Sequence, residues 1–177
     1  MSTRRIMKAT FTYFTTTTTP LGYSILNFRL FFILCIFILN LKSLKVLNFG
    51  GTSVANAENI RKVKSILNET TETNQVVVVS AFGGVTDMLL SASAMASQRD
   101  EGYTQTLATI EQRHLTTIKE LLPVTKQSSV LSKVKSQLNV LETLLEGAFL
   151  IGELTPKLSD RIVGYGELLS SYIISEF

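Results

Sequence analysis

Lys45-Val46-Leu47-Asn48-Phe49-Gly50-Gly51-Thr52-Ser53 decides the fold, together with Gln75-Val76-Val77-Val78-Val79-Ser80-Ala81-Phe82-Gly83-Gly84-Val85-Thr86. In each stretch a short apolar run breaks into paired glycines with hydroxyl side chains close by. The composition of the runs predicts strands over 45–49 and 75–80. Four consecutive valines leave no polar face, which predicts a strand buried on both sides of a parallel sheet. Between the strands, helical spacing runs from Ala55 to Leu67, with Val54, Ile60, Val63, Ile66 and Leu67 on one face and Arg61, Lys62 and Lys64 opposite. Strand, glycine loop, helix, strand, glycine loop is an α/β pattern. Right-handed crossovers put both loops at the carboxyl edge of the sheet, where open α/β sheets bind ligands.

Helices dominate downstream. One is predicted over 87–98, and a second over 103–122, where Leu107, Ile110, His114, Ile118 and Leu121 align ahead of Pro123. A third covers 128–150, with Val130, Leu131, Val134, Leu138, Leu141, Leu144, Leu145 and Phe149. A last one opens at Thr155-Pro156, threonine as cap and proline in the first turn, and runs to the end. Two strands are few for a sheet under so many helices, and the apolar last helix has no polar tail. The chain therefore reads as the N-terminal portion of a longer protein.

Upstream, residues 1–44 differ in kind. They hold five basic residues and no acid, a Thr15–Thr19 run, and the twelve-residue apolar stretch Leu30–Leu41. A spanning helix needs roughly 20 apolar residues. Three readings stand: a signal or membrane anchor, a targeting peptide, or an extension from a start codon assigned too far upstream. The abrupt change at Leu44-Lys45 favours the third, so the domains are 1–44 as a leader and 45–177 as the folded part. Of the 17 basic and 14 acidic residues, twelve and all fourteen fall in 45–177, so the net charge of +3 belongs to the leader. That excludes a nucleic-acid partner, and the scattered bases read as solvated helix faces. A single cysteine, Cys35, and a single histidine, His114, exclude an intrachain disulfide, a cysteine-based zinc site and any site with two imidazoles.

Three places could carry chemistry. Around Gly50-Gly51-Thr52-Ser53, glycines allow close backbone approach to an anion, amides can form a nest, and Thr52 and Ser53 add donors. A plain turn with a helix cap is the alternative, and the P-loop spacing is absent. The Ser80–Asp87 loop repeats the geometry, with Thr86 or Asp87 as a possible cap of the next helix. In Gly164-Tyr165-Gly166-Glu167-Leu168-Leu169-Ser170-Ser171, two glycines at a cost of about 1 kcal/mol each inside a helix suggest close approach of something beside Glu167. A kink with a surface glutamate is the alternative. His114 reads as structural, and Glu153, Asp160 and Arg161 as surface charges.

Taken together, Phe49-Gly50-Gly51-Thr52-Ser53-Val54, Val77-Val78-Val79-Ser80-Ala81 through Gly84-Val85-Thr86-Asp87, and Gly166-Glu167-Leu168-Leu169-Ser170-Ser171 resemble the aspartate kinase family in the right order. The resemblance covers about 45–177 and extends to the kinase half of bifunctional aspartokinase–homoserine dehydrogenases. It implies the three-layer αβα amino-acid kinase (carbamate-kinase-like) fold, N-terminal portion only. It also implies phosphorylation of the L-aspartate β-carboxylate to 4-phospho-L-aspartate by ATP with Mg²⁺, the entry to lysine, threonine, methionine and isoleucine. By motif position Gly50, Gly51, Thr52 and Ser53 would line the ATP phosphates. Ser80 and Thr86 would contact aspartate or the reacting groups, and Glu167 would bind the substrate ammonium. No protein-held metal site is implied. A homo-oligomer and a cytoplasmic location follow for the full-length enzyme, with no membrane partner. Where the family reads Lys-Phe-Gly-Gly, this chain has Asn48. The loss of that cation, and the absence of the family's later segments, make the chain as given inactive or nearly so. A degenerate, membrane-tethered remnant or a different amino-acid kinase are the alternatives.

Overall fold

The computed structural model describes residues 44–69 and 74–177. The leader with its apolar run Leu30–Leu41 lies outside the described residues, as do residues 70–73 of the polar link. Lys45–Phe177 forms one compact unit. Its elements are β1 (Lys45–Phe49), α1 (Ala57–Glu69), β2 (Gln75–Val79), α2 (Val85–Ser97), α3 (Gly102–Leu121), α4 (Val124–Ile151), α5 (Pro156–Val163) and α6 (Tyr165–Glu176). β1 and β2 pair in parallel from Lys45 opposite Gln75 to Phe49 opposite Val79. The Ser80 N–H, donating to the Phe49 carbonyl at 3.2 Å, carries the ladder past the strands. No helix among the described residues is long and apolar enough to cross a membrane.

The core lies among the helices. Leu89, Ile110, Ile118, Leu141, Leu145, Ile162, Leu169 and Ile173 are all fully buried. They come from the apolar stripes of α2 through α6, and α1 adds Ile60 and Val63 where it packs on α3. The sheet behaves otherwise. Val76, Val77 and Val78 are 40%, 38% and 45% exposed, so β2 is not buried on both faces as its valines predict. Its parallel pairing is as read, but β1 is its sole strand neighbour among the described residues, and the middle of β2 stays partly exposed although α6 contacts the strand. Ile66, placed on the apolar face of α1, is exposed as well.

Element boundaries shift for local reasons. α1 begins at Ala57 because the Asn56 Oδ1 accepts the Asn59 N–H at 2.9 Å, a side-chain cap. α4 begins four residues before Ser128, directly after Pro123. Val124 is 82% exposed, so that first turn carries no apolar stripe to read. The last helix is two helices. α5 is capped as predicted, with the Leu158 N–H donating to Thr155 Oγ1 at 3.2 Å and Pro156 in its first turn. It ends at Gly164, from which α6 departs. The basic residues are also less idle than solvated faces would be. Lys62 pairs with Glu58 in solvent at 2.7 Å. Arg61 donates to the Glu120 carbonyl at 2.6 Å, at the end of α3. Lys64 and Lys126 donate to the Phe177 and Glu176 carbonyls at 2.6 and 3.2 Å, at the end of α6. Cations there satisfy orphan carbonyls and oppose the negative helix end.

Leu141→Ala should lower the free energy of unfolding by about 2–5 kcal/mol. Leu150→Ala, at a position 68% exposed, should change it by less than about 0.5 kcal/mol. Urea denaturation of the two variants checks that the core lies on this face of α4.

Candidate active site

The first glycine loop is a tight turn. The Ser53 N–H donates to the Gly50 carbonyl at 2.9 Å, and Val54 is fully buried just behind it. The Asn59 Nδ2 donates to the Thr52 carbonyl at 2.8 Å, tying the turn to α1. Gly50 faces open space, with nothing within 4 Å of where a Cβ would stand. The second loop is anchored by Phe82, 1% exposed, whose ring stacks on His114 of α3 at 5.0 Å between centroids. The Val85 N–H donates to the Phe82 carbonyl at 2.9 Å, and Gly84 takes the left-handed conformation at φ +80° as the N-cap of α2. A side chain there would cost about 1–2 kcal/mol. No side chain caps this helix. Thr86 and Asp87, read as possible caps, lie inside its first turn instead.

The two loops touch through their backbones. A Cβ on Gly51 would stand 3.4 Å from the Ala81 carbonyl oxygen and 4.0 Å from Ser80 Oγ. A Cβ on Gly83 would stand 3.0 Å from the Ala55 Cβ and 3.3 Å from the Gly51 carbonyl oxygen. The third motif joins them through the second. A Cβ on Gly166 would meet the Ala81 Cβ at 2.9 Å and Leu89 Cδ1 at 3.3 Å. The buried Ser170 hydroxyl donates to the Ser80 carbonyl at 2.8 Å. What the glycine of α6 lets approach is therefore the second loop itself, and the bend at Gly164 is present too.

Around this contact, Gly50 and Thr52 are exposed, while Gly51, Ser53, Ser80 and Thr86 are half-buried. Asn48 is exposed on β1, opposite Val78 and one residue before the turn. Glu167 is half-buried in the first turn of α6, between Gly166 and Ser170, which touch Ala81 and Ser80. Its carboxylate makes no hydrogen bond to either loop. Two surface grooves flank α3 beside the loops, of about 560 and 400 Å³. The larger reaches Ala55, Asn56 and Arg113, the smaller Asp87 and Met88, and neither is lined by a loop glycine. Among the described residues no three His, Cys, Asp or Glu side chains gather as a metal site.

Phe82 and Ser170 lie within the motifs, yet the motif reading assigns them no role. Their signals were an aromatic between small residues and a hydroxyl four residues after a helical glycine. His114 is structural, as read. It is fully buried, with Nδ1 2.7 Å from the Ile110 carbonyl and Nε2 without a partner among the described residues. Burial pushes its imidazole below the ordinary 6.5, and the neighbouring Arg113 charge adds to this, while the Ile110 carbonyl opposes it. The folded ring stays neutral at a pH where the unfolded chain already binds a proton, so stability is lost as pH falls below about 6.5.

Two outcomes follow. Gly166→Ala must part α6 from the Ala81 loop and should destabilise the unit by about 1–3 kcal/mol, read by urea denaturation. Between pH 7 and pH 5 the urea midpoint should fall, and His114→Gln should flatten that slope. Equal slopes in both proteins would clear His114 of the effect.

Comparison with known proteins gives a consistent picture. The sequence profile of the amino acid kinase family matches residues 43–177. The chain is 34% identical over 127 residues to bifunctional aspartokinase/homoserine dehydrogenase 1, chloroplastic, of Arabidopsis thaliana, covering 72% of this chain and 14% of that protein. It is 33% identical over 135 residues to aspartokinase 1, chloroplastic, of the same plant, covering 75% of this chain and 23% of that protein. The crystal structure of E. coli aspartokinase III in complex with aspartate and ADP superposes with a TM-score of 0.66 at 26% identity, over 76% of this chain and 28% of that one. The chain thus spans between a seventh and three tenths of the length of these relatives.

Proposed function

The chain belongs to the amino acid kinase family, and from that premise we propose that it is the N-terminal part of an aspartate kinase catalytic domain. The observation that carries the reading is the meeting of the two glycine loops with the Gly166–Ser170 turn of α6. The substrates of the proposed reaction are L-aspartate and ATP, the latter as its Mg²⁺ complex. A β-carboxylate oxygen of aspartate attacks the γ-phosphorus, a new P–O bond forms, and the bond to the ADP oxygen breaks. Such transfer is almost entirely positioning and charge stabilisation.

In this proposal Gly50, Gly51, Thr52 and Ser53 cradle the phosphates. The open space at Gly50 and the exposed Thr52 suit an incoming anion. Ser80 and Thr86, at the two ends of the second loop, face the aspartate or the reacting groups. Glu167, a carboxylate without a hydrogen-bond or ion-pair partner among the described residues, takes the aspartate ammonium. The product is 4-phospho-L-aspartate, the entry to lysine, threonine, methionine and isoleucine synthesis. The full-length enzyme is a cytoplasmic homo-oligomer in this reading. The plant relatives named above are chloroplastic.

Asn48 supports a second reading, a non-catalytic member. It stands where the resemblance places a lysine, and a short neutral amide cannot match a cation aimed at charge developing on the transferred phosphoryl. Loss of one such electrostatic group costs about 10²–10³ in rate.

A graft of residues 45–177 into E. coli aspartokinase III, replacing the matching segment, separates the readings. With hydroxylamine trapping the acyl phosphate, the graft should form aspartyl hydroxamate slowly. Asn48→Lys should raise the rate by about 10²–10³. A folded Asn48→Lys graft that makes no hydroxamate from aspartate would overturn the substrate assignment.

A further inference from the structure

Arg113 lies on α3, outside both strand–loop–helix units, yet its guanidinium bonds the exit of one glycine loop and lies beside the exit of the other. Its Nη2 donates to the Ala55 carbonyl at 3.0 Å, two residues past Ser53. Its Nη1 lies 3.9 Å from where a Cβ on Gly84 would stand, at the end of the second loop. The next residue, His114, holds Phe82 of that same loop by stacking. Chain connectivity imposes neither contact, since α3 follows the second loop by a whole helix.

The side-chain chemistry suits the task. A guanidinium is a flat, rigid fork of five N–H donors, and it can serve two separated groups at once. Arg113 is half-buried and pairs with no carboxylate among the described residues. Its side-chain hydrogen bond goes to backbone instead, at Ala55. Its own helix turn is held in place, because the Thr117 hydroxyl donates to the Arg113 carbonyl at 2.9 Å. Gly84 needs its left-handed φ of +80° and has no side chain with which to fix its own position. The fork beside it supplies an outside reference.

We propose that Arg113 is a positioning residue that sets the spacing of the two glycine loops. Resting on the reading of those loops as a phosphate cradle, it thereby sets the alignment of the transferred phosphoryl group. It touches no reacting atom and acts through Ala55 and the Gly84 turn. Its removal leaves the Gly51–Ala81 and Gly83–Ala55 contacts in place but lets the loops slide on each other.

Hydrogen exchange on the full 177-residue chain tests the tie directly. The Ser53 and Asn59 amides report the first loop and its helix cap, and the Val85 and Met88 amides report the second. The Leu122 and Gly152 amides, at the far ends of α3 and α4, serve as references. Arg113→Met should speed exchange at the four loop amides on the order of tenfold and leave the references within twofold. Arg113→Lys should recover the first pair, because a single ammonium can still reach the Ala55 carbonyl, but not the second. Equal acceleration of all six amides, or of none, overturns the tie.

Titration of the 45–177 graft in E. coli aspartokinase III with magnesium–ADP tests the positioning. Arg113→Met should weaken binding about tenfold, with Arg113→Lys intermediate. An unchanged affinity in the methionine variant overturns the positioning role. A wild-type graft that binds no ADP, while the chain shows the local exchange pattern, refutes the phosphate cradle and leaves the tie standing.

Discussion

The backbone of one glycine loop lies against the backbone of the other, and everything nearby is arranged around that contact. Gly83 could not carry a methyl group without pressing on Ala55 and the Gly51 carbonyl, and Gly166 could not without pressing on Ala81. Three segments far apart in sequence therefore approach more closely than side chains would allow. Close packing of this kind transmits displacement, since there is little space to absorb it. The buried anchors Val54 and Phe82 fix the two loops from behind, and the Ser170 hydroxyl fixes the second to α6. The ends Gly50 and Thr52 stay exposed.

How much of this was legible depended on whether the physics was local. The strands, the parallel order, the Thr155-Pro156 cap and the buried stripes of α3 and α4 follow from period and cap chemistry within a few residues. The helix starts followed less well. α2 is capped by a left-handed glycine, and glycine followed by threonine and aspartate looks equally like a later side-chain cap. The first turn of α4 is exposed, so its apolar period had nothing to show. The valines of β2 were misread because burial depends on what lies over a strand, which a strand's own residues do not encode. In the site, the glycine pairs and Glu167 were legible as motifs. Arg113 was not, since its hydrogen-bond partner is a backbone carbonyl, which leaves no mark in the sequence.

Asn48 shows a limit of another sort. Its backbone pairs in the ladder as any residue would, opposite Val78. Strand geometry constrains where its side chain starts and not what charge it carries. The strand pairing is thus intact at the position where the resemblance places a lysine. Architecture and chemistry are separable here, and a family assignment carries the first more firmly than the second.

The uncovered valine ladder bears on the order in which such a chain becomes structured. The contacts of α3 with α4 are close in sequence and can form early, whereas β1 and β2 meet only after a thirty-residue excursion. Two strands with no further strand beside them among the described residues, and a greasy middle, are a surface on which nascent chains stick to one another. During synthesis, Val76 to Val78 is therefore the stretch where a chaperone would have most to shield.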